Sequence, residues 1–283
     1  MTMNMGINPK NAVLTKSNLR QAGYSSDVAE HFQRQLLEKV WQIPGVEAAG
    51  YASNTPLINV STSAVFSQQI TDFRPSNKAF DQYDYKVSPG YFAAAGTPML
   101  AGRDVSFADT AKRPAVVIVN QEFARRLSPS DRGHSEQVVG RYFKDNSGRL
   151  IQIVGMVADE KNISLSEEPQ PAAFFPILQA ASTATALVIR TRRETADMVT
   201  IVRKVVHDLD PGVPIEGIGR WNNQLGMSFF PAQVATIALG RMLIPLASGS
   251  AVGMLLGAAA SRVLSAIVYQ ASAQDPFVLI AVC

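Results

Sequence analysis

Residues 184–218, ATALVIRTRRETADMVTIVRKVVHDLDPGVPIEGI, contain the pattern that decides the fold of this chain. The apolar and β-branched residues of Ala184–Thr191 predict a strand. The next apolar residues recur at spacings of three and four, which predicts one face of an amphipathic helix. They are Met198, Ile201, Val202, Val205, Val206 and Leu209. Pro211-Gly212 ends this helix, and Val213–Ile218 predicts a second strand.

A segment near the N-terminus has the same order of elements. Ala12–Thr15 predicts a strand, Pro44-Gly45 ends a helix, and Val46–Ser53 predicts the returning strand. The apolar positions of this helix have the same spacing: Val28, Phe32, Leu36, Leu37, Val40 and Trp41. The two strand-helix-strand units, about residues 10–55 and 182–220, predict an α+β fold. We expect one sheet backed by two helices, a split βαβ (ferredoxin-like, porter-type) subdomain.

Between these units, residues 56–181 predict an inserted, mostly β subdomain. The segment begins rich in Ser, Asn, Pro and Gly and then contains short strand candidates. They are Val65–Ile70, Tyr83–Val87, Ala115–Val119, Ile151–Val157 and Ala172–Phe175. Gln121–Leu127 predicts one short helix with Asn120 as its N-cap, because an asparagine side chain can accept a hydrogen bond from a free amide of the first turn. The sequence leaves the order of these strands open.

Met242–Ser261, MLIPLASGSAVGMLLGAAAS, is a run without charged residues. An α-helix needs about 20 such residues to cross the hydrocarbon core of a bilayer. Gly249, Gly253 and Gly257 recur at every fourth position and share one helical stripe, which predicts a helix-packing face. The alternative is a buried helix in a water-soluble core, where each glycine costs about 1 kcal/mol relative to alanine. The three glycines therefore favour a transmembrane helix.

The sequence thus predicts a domain at residues 1–225 and a membrane segment at residues 226–283. Beyond the apolar run, Asp275-Pro276 is a typical N-cap and first-turn pair, which predicts the start of another helix at residue 275. Membrane lipid is an expected partner of this segment, because its apolar side chains would lie in the bilayer.

Composition and charge exclude several classes of function. The formal net charge is only +3 and the basic residues are dispersed, so a nucleic acid is not an expected partner. Cys283 is the single cysteine, so one chain can form neither a disulfide framework nor a thiolate metal site. The pattern G-x-x-x-x-G-K-[ST] is absent, so the chain does not itself supply ATP chemistry. No cofactor is expected.

Candidate catalytic residues are few. His31 and His207 lie on the two predicted amphipathic helices, where we expect them to face solvent or a helix end. One polar loop has the residue types of a hydrolytic triad, but no G-x-S-x-G elbow supports that reading. Its residues are Ser128, Ser130, Asp131 and His134. The acidic pairs Asp159-Glu160 and Glu167-Glu168 lack histidines at metal-ligand spacing, so they predict solvated turns. The chain is therefore not expected to be an enzyme or to bind a metal.

Tyr85–Ser106, YKVSPGYFAAAGTPMLAGRDVS, resembles the extracytoplasmic core domain of MacB-type and FtsX-like ABC transporter permeases, and is most similar to acidobacterial orphan permeases. The resemblance continues through further segments in the family's order. They are Val116–Leu127, Gly140–Phe143, Ile151–Lys161, Glu168–Pro171 and Leu209–Pro211. Ser261–Ser265 and Asp275-Pro276 resemble the end of that family's third transmembrane helix and the start of its fourth. The order of the motifs makes the match specific.

The resemblance implies a non-catalytic permease subunit of the bacterial inner (cell) membrane, with residues 1–225 outside the cytoplasm. In this family a cytoplasmic ABC ATPase closes the dimer when it binds ATP, and the membrane helices transmit the movement to the outer domains. Lipids, peptides or small toxic compounds are exported or extracted as a result. The implied partners are the ATPase, other permease helices and a second copy in a homodimer. The alternative is a membrane-anchored extracytoplasmic binding module that acts independently of an ATPase.

The chain also departs from the family's pattern. The family's first transmembrane helix would precede residue 1, and its second would begin near Leu225 and lead into a basic cytoplasmic stretch. Here Gln233–Gly240 runs almost directly into the match to the third helix. The resemblance therefore implies a fragment, truncated at both ends and internally deleted. Arg241 and Arg262 flank the apolar run, so the positive-inside rule gives its span no orientation.

Overall fold

The computed structural model describes residues 5–55, 61–128, 135–164, 167–224, 249–250, 252–260 and 262. The chain divides into two compact units, Met1–Ser228 and Phe229–Cys283. The described residues of the first unit form a single sheet of eleven strands. In chain order these are β1 (Ala12–Asn18), β2 (Val46–Ala52), β3 (Ser61–Val65), β4 (Phe80–Val87), β5 (Met99–Gly102), β6 (Val116–Asn120), β7 (Tyr142–Lys144), β8 (Leu150–Val157), β9 (Ala172–Pro176), β10 (Ala184–Thr191) and β11 (Ile215–Arg220). The α-helices are α1 (Ser26–Trp41), α2 (Tyr91–Ala95), α3 (Gln121–Leu127) and α4 (Thr195–Leu209).

The two predicted strand-helix-strand units are present and interleaved. β1, α1 and β2 form the first unit, and β10, α4 and β11 form the second. The strands lie in the order β11-β1-β10-β2, and each neighbouring pair is antiparallel. Each unit is therefore split by a strand of the other, and the predicted α+β fold with a split βαβ arrangement is confirmed.

The main core lies between this part of the sheet and the two long helices. α1 and α4 bury their apolar stripes against side chains of one sheet face. From α1 the buried apolar residues are Ala29, Phe32, Leu36, Leu37 and Val40, and from α4 they are Met198, Val202 and Val206. Burial of each larger side chain stabilises the fold by about 1.5–3 kcal/mol. The prediction of Val28 as a core residue is wrong, since its side chain is 53% exposed and Ala29 takes the buried position in the first turn.

The inserted segment extends the same sheet instead of forming a separate one. Ala52 at the end of β2 pairs with Val87 of β4, and the sheet continues in the order β4-β9-β6-β8-β5. β3 pairs with β4 and β7 pairs with β8. A second buried cluster lies in this half, where Phe123 of α3 contacts residues of the sheet. The insertion thus has its own core within a shared sheet.

The local predictions for the insertion hold with one exception. Four of the strand candidates correspond to β4, β6, β8 and β9, and the helix Gln121–Leu127 has the predicted bounds. The Phe123 amide donates to Asn120 Oδ1 at 3.0 Å, as expected of an N-cap. The strand predicted at Val65–Ile70 is wrong, because β3 ends at Val65 and a turn follows in which the Ile70 amide donates to the carbonyl of Ser67.

α2 lies on the sheet face opposite α1. Gly50 of β2 permits its close approach, because a Cβ at this position would be 2.4 Å from the amide nitrogen of Tyr91. A side chain at residue 50 would therefore displace α2 from the sheet. This packing joins the first residues after β4 to the β2–β10 part of the sheet.

The predicted membrane segment is described only in part. Residues 249–250, 252–260 and 262 are helical, and their side chains are exposed. The remainder of the predicted span 242–261, the region from Leu225 to Gly240 and the helix predicted at residue 275 lie outside the described residues. Within the described ranges, no helix combines the length and the apolar character needed to cross a membrane.

Candidate functional site

The predicted helix-packing glycines are placed, but their role is not tested. Among the described residues, a Cβ built on Gly249, Gly253 or Gly257 would contact nothing within 4 Å. The packing of their stripe against another helix stays a prediction.

Of the weak catalytic candidates in the polar loop, the structure describes only Ser128. The hydroxyl of Ser128 accepts a hydrogen bond from the guanidinium of Arg141, whereas Ser130, Asp131 and His134 lie outside the described residues. His31 and His207 are exposed, as expected. In the part of the chain that the structure describes, no group of three or more His, Cys, Asp or Glu side chains could hold a metal ion.

The chain enters and leaves the split βαβ half at neighbouring positions. β1 and β11 are antiparallel neighbours, and Val13 near the start of β1 pairs with Arg220 at the end of β11. The backbone that leads into β1 and the backbone that follows β11 therefore meet at one end of the sheet. Both connections are fixed to the sheet by side chains.

The exit after β11 is fixed by two residues. Trp221 follows the strand directly and is fully buried. Gln224 Nε2 donates to the carbonyl oxygen of Leu14 at 3.0 Å. Because Leu14 lies in the middle of β1, the hydrogen bond ties the residues after β11 to the neighbouring strand.

The entry before β1 is fixed by Arg190 of β10. Its guanidinium donates to the carbonyl oxygens of Asn8 at 2.5 Å and Lys10 at 3.1 Å, and to that of Ala94 in α2 at 3.1 Å. The Asn8 amide also donates to the carbonyl of Ala95 at 2.8 Å. One side chain thus holds the entry segment and α2 to the sheet. A guanidinium group can donate to several carbonyl oxygens at once, because its N–H donors lie in one plane with fixed directions.

The same entry segment covers a buried carboxyl group. The amide of Lys161 donates to the carbonyl of Met5 at 3.1 Å. A Cβ at Gly6 would lie 2.2 Å from the carbonyl oxygen of Asp159, so only glycine allows this approach. Glu160, between these two contacts in sequence, is 2% exposed. The prediction of Asp159-Glu160 as a solvated turn is therefore wrong for Glu160, because the N-terminal residues fold over it.

Glu160 has one strong hydrogen bond. Its Oε1 accepts from the hydroxyl of Thr97 at 2.6 Å, while its Oε2 is buried without a hydrogen-bond partner among the described residues. Burial raises the pKa of this carboxyl from 4.5 to about 7, although the Thr97 hydrogen bond acts in the opposite direction. Since Thr97 is also buried, a substrate has no access to the carboxyl group. The buried carboxyl and hydroxyl groups bind a proton and link the segments that carry them.

The polar cluster around Glu160 extends into the insertion. The backbone oxygen of Glu160 accepts from Asn162 Nδ2 at 3.2 Å, and Asn162 Oδ1 accepts from the Tyr85 hydroxyl at 2.8 Å. Tyr85 stacks on Phe174 with ring centroids 5.1 Å apart. Burial, and then the charge of Glu160, raise the pKa of the Tyr85 hydroxyl well above its ordinary value. The cluster therefore joins the entry segment to β4 and β9.

The other acidic residues of this region cap backbone turns. Asp159 accepts from the Glu122 amide at 2.7 Å and from Arg125 at 2.7 Å, so it fixes the first turn of α3. Glu167 is half-buried and accepts from the Ile163 amide at 3.1 Å. Glu168 is exposed, as predicted.

Comparisons with known proteins find one matching family and two solved structures with limited similarity. Residues 5–216 match the family described as MacB-like periplasmic core domain. The periplasmic region of MacB from Actinobacillus actinomycetemcomitans is similar with 13% identity and a TM-score of 0.49, over 80% of this chain and 96% of that chain. The extracellular domain of the noncanonic ABC-type transporter YknZ from Gram-positive bacteria has 11% identity and a TM-score of 0.45, over 73% of this chain and 100% of that chain. A comparison with curated proteins found no match.

Proposed function

Because the chain belongs to the family of MacB-like periplasmic core domains, we propose that residues 1–225 are the extracytoplasmic part of an ABC transporter permease subunit in a bacterial inner membrane. In this proposal the subunit catalyses no reaction. It couples ATP hydrolysis by a cytoplasmic ABC ATPase to a conformational change outside the membrane, and this change exports or extracts a substrate.

The observation that carries the proposal is the position of the two chain connections. Val13 and Arg220 are paired neighbours, so the entry to β1 and the exit from β11 emerge side by side. A domain inserted between two membrane segments needs this arrangement, because both segments must approach it from the same side.

The anchors at these connections support a mechanical role. A displacement of the exit would reach β1 through the Gln224 hydrogen bond, and a displacement of the entry would reach β10 through Arg190. β1 and β10 pair along their whole lengths, so they would move together. The buried and closed surroundings of Glu160 are consistent with transmission of movement and not with catalysis.

The membrane part of the proposal rests on the sequence. The uncharged run 242–261 would cross the bilayer in contact with lipid, and the stripe of Gly249, Gly253 and Gly257 would pack against other permease helices. In a homodimer these helices could belong to either copy. The orientation of the span follows from the side on which residues 1–225 lie.

Cysteine labelling tests the location of the domain. Cys283 is the chain's only cysteine, so a Cys283→Ser background allows one new cysteine to be followed. Lys112→Cys, at an exposed position, should react with a membrane-impermeant maleimide in spheroplasts. Ala49→Cys, at a buried position, is the control and should not react until the protein is unfolded. Reaction of Lys112→Cys only after the membrane is permeabilised would contradict an extracytoplasmic domain.

Purification from detergent tests the coupling to an ATPase. The full chain, isolated from its own host, should be accompanied by a protein that has the pattern G-x-x-x-x-G-K-[ST]. Extracytoplasmic labelling without such a partner would refute the coupling. It would favour instead a membrane-anchored binding module that acts independently of an ATPase.

A further inference from the structure

β11 lies at one edge of the sheet. It pairs with β1 on one side, and none of the strands in the described residues pairs with its other side. An open strand edge presents backbone N–H and C=O groups that can bind another strand, and proteins commonly block such edges with proline, charge or a covering segment. The sequence of β11, IEGIGR, contains no proline. Every residue of the strand therefore keeps its N–H donor.

Two glycines of β11 are not explained by packing within the described chain. A Cβ at Gly217 would contact nothing within 4 Å among the described residues, and a Cβ at Gly219 would be 3.8 Å from Gln224 Nε2. Glycine weakens a strand, and inside a strand it often marks a position that another backbone approaches closely. At these two positions the sheet face beside the edge is open among the described residues.

A groove next to the start of β11 supplies side-chain contacts. It has a volume of about 600 Å³ and lies between α4 and the residues that connect α4 to β11. Pro211 and Ile215 contribute apolar surface to it. Arg203, Lys204 and His207 line the side of α4 and are exposed. The groove could therefore receive apolar and acidic side chains together.

Arg203 and Lys204 outnumber the one carboxylate among the described residues that line this groove, so the lining keeps a net positive charge. Asp210 is the single acidic residue among the described residues that line it, and it accepts hydrogen bonds from the Tyr24 hydroxyl and the Gly212 amide. These two bonds lower the pKa of Asp210 and hold its carboxylate toward its own chain. Lys204 pairs with Asp208 at 2.6 Å, but both side chains are exposed, and such pairs are weak. Lys204 can therefore exchange Asp208 for another carboxylate.

We propose that the β11 edge and this groove together bind an extended, acidic segment of a partner protein. The segment adds a strand to β11, and its carboxylates contact Arg203 and Lys204. Backbone hydrogen bonds provide the binding energy in this mode of recognition, while side chains select the sequence. The inference goes beyond the proposed function, because it applies whether or not the chain is coupled to an ATPase.

Binding of model peptides to the full chain in detergent micelles tests this proposal. The probe is a fluorescein-labelled octapeptide of alternating glutamate and valine, measured by fluorescence anisotropy. We expect it to bind, and we expect no binding of the corresponding lysine-valine peptide. A glutamate-valine peptide with N-methyl groups on alternate residues should not bind either, because it cannot pair with a strand. Equal binding of the N-methylated peptide would overturn the strand addition, and failure of the first peptide to bind would overturn the proposal.

A matched pair of double variants tests the location. Arg203→Glu with Lys204→Glu should weaken peptide binding by roughly tenfold or more, since two favourable charge pairs become repulsive. Lys112→Glu with Arg113→Glu makes the same change of net charge at exposed positions of another loop and should leave binding unchanged. Equal weakening by both pairs would show unspecific charge attraction and overturn the site.

Hydrogen exchange distinguishes a partner segment from a second copy of the chain. On addition of the glutamate-valine peptide, amide exchange of residues in β11 should slow, while exchange in the edge strand β5 should not change. Sedimentation provides the second measurement. A concentration-dependent dimer that protects β11 in the absence of peptide would overturn the proposal, because the occupant of the edge would then be the chain itself.

Discussion

Replacement of Glu160 by glutamine should remove a pH dependence from the folding stability of this protein. Burial raises the pKa of the Glu160 carboxyl from 4.5 to about 7 in the folded chain. In the unfolded chain the carboxyl is in water and titrates near its ordinary value. Glutamine has nearly the same shape, retains an oxygen that can accept from the Thr97 hydroxyl and does not titrate.

The direction of the effect follows from which state binds the proton. Well below pH 4.5 the carboxyl is protonated in both states, so the free energy of unfolding does not change with pH through this group. Between this pH and about 7 the unfolded chain loses the proton while the folded chain keeps it, so the free energy of unfolding falls as the pH rises. The total loss is about 3 kcal/mol, and most of it, about 2.5 kcal/mol, falls between pH 5 and pH 8. Above the folded pKa both states are ionised, and the loss is complete.

Denaturant unfolding of the full chain in detergent, followed by tryptophan fluorescence, measures this effect. Both tryptophans, Trp41 and Trp221, lie in the first compact unit. From pH 5 to pH 8 the original chain should lose about 2.5 kcal/mol relative to Glu160→Gln. Glu168→Gln, at an exposed position, is the matched control and should change in parallel with the original chain. The reasoning would be refuted if Glu160→Gln also ran parallel to the original chain.

Three further substitutions give distinct outcomes. Gly50→Ala should destabilise the first unit by about 1–3 kcal/mol in the same unfolding assay, because its Cβ would meet the backbone of α2. Gly217→Ala is the control and should have little effect on the free energy of unfolding. Equal losses in the two variants would contradict the argument that Gly50 permits the close approach of α2. Asn120→Ala should lower the free energy of unfolding by about 2–4 kcal/mol, because the side chain accepts hydrogen bonds from two backbone amides, in α3 and β9. Asn120→Asp should recover most of this loss. An alanine variant as stable as the original chain would count against the N-cap. Gly253→Leu should weaken helix association measured by energy transfer in a bilayer, and unchanged transfer would remove the packing role.

The long elements of the fold could be predicted from periodicity alone. The apolar stripe of α4 and the strand Ala184–Thr191 have the expected positions, because their spacing repeats over enough residues to distinguish a helix from a strand. Two of the predicted apolar positions of α1 are exposed, Val28 in the first turn and Trp41 at its last residue, with exposures of 53% and 40%. Val28 and Ala29 are adjacent, and the three- and four-residue spacing is satisfied equally well when the stripe begins at Ala29. Valine is the more hydrophobic residue, so the sequence favours Val28 as the first buried position. The orientation of the helix on the sheet buries Ala29 instead.

Short elements of the insertion were harder to predict. β5, β7 and α2 have few residues, so no repeated spacing defines them. The error at Val65–Ile70 has the same origin, since Val65 and Phe66 are buried but the residues that follow form a turn. The joining of the insertion to the main sheet at Ala52 and Val87 depends on residues far apart in sequence. The local pattern of apolar and polar residues does not show which distant strands pair.

The burial of Glu160 could not be predicted because its cause is tertiary. An acidic pair after a strand is usually a solvated turn, and Asp159 does act as a polar cap. Glu160 is buried because Met5 and Gly6 cross the backbone at this position, and those residues are more than 150 positions away in sequence. Gly6, in the segment that precedes β1, is the one feature of the sequence that points to a close backbone contact. A glycine can occur at a position for many other reasons, so it does not predict the burial of Glu160. The sequence likewise does not predict the open edge of β11, because which strand lies at the edge depends on the strand order.

Contacts outside the strand ladder make most of the connection between the split βαβ half and the insertion. Strand pairing runs along the full length of β1, β10 and β2, but only the pair Ala52 and Val87 continues it to β4. The insertion is held to the other half in addition by α2 on Gly50 and by the Arg190 hydrogen bonds. The Glu160 cluster links the entry segment to the insertion at the same boundary. A displacement of the entry segment would therefore act on α2 and on the Glu160 cluster before it reached the strands of the insertion. If the domain transmits movement as proposed, substitutions at α2 and in the Glu160 cluster are the most informative tests of that transmission.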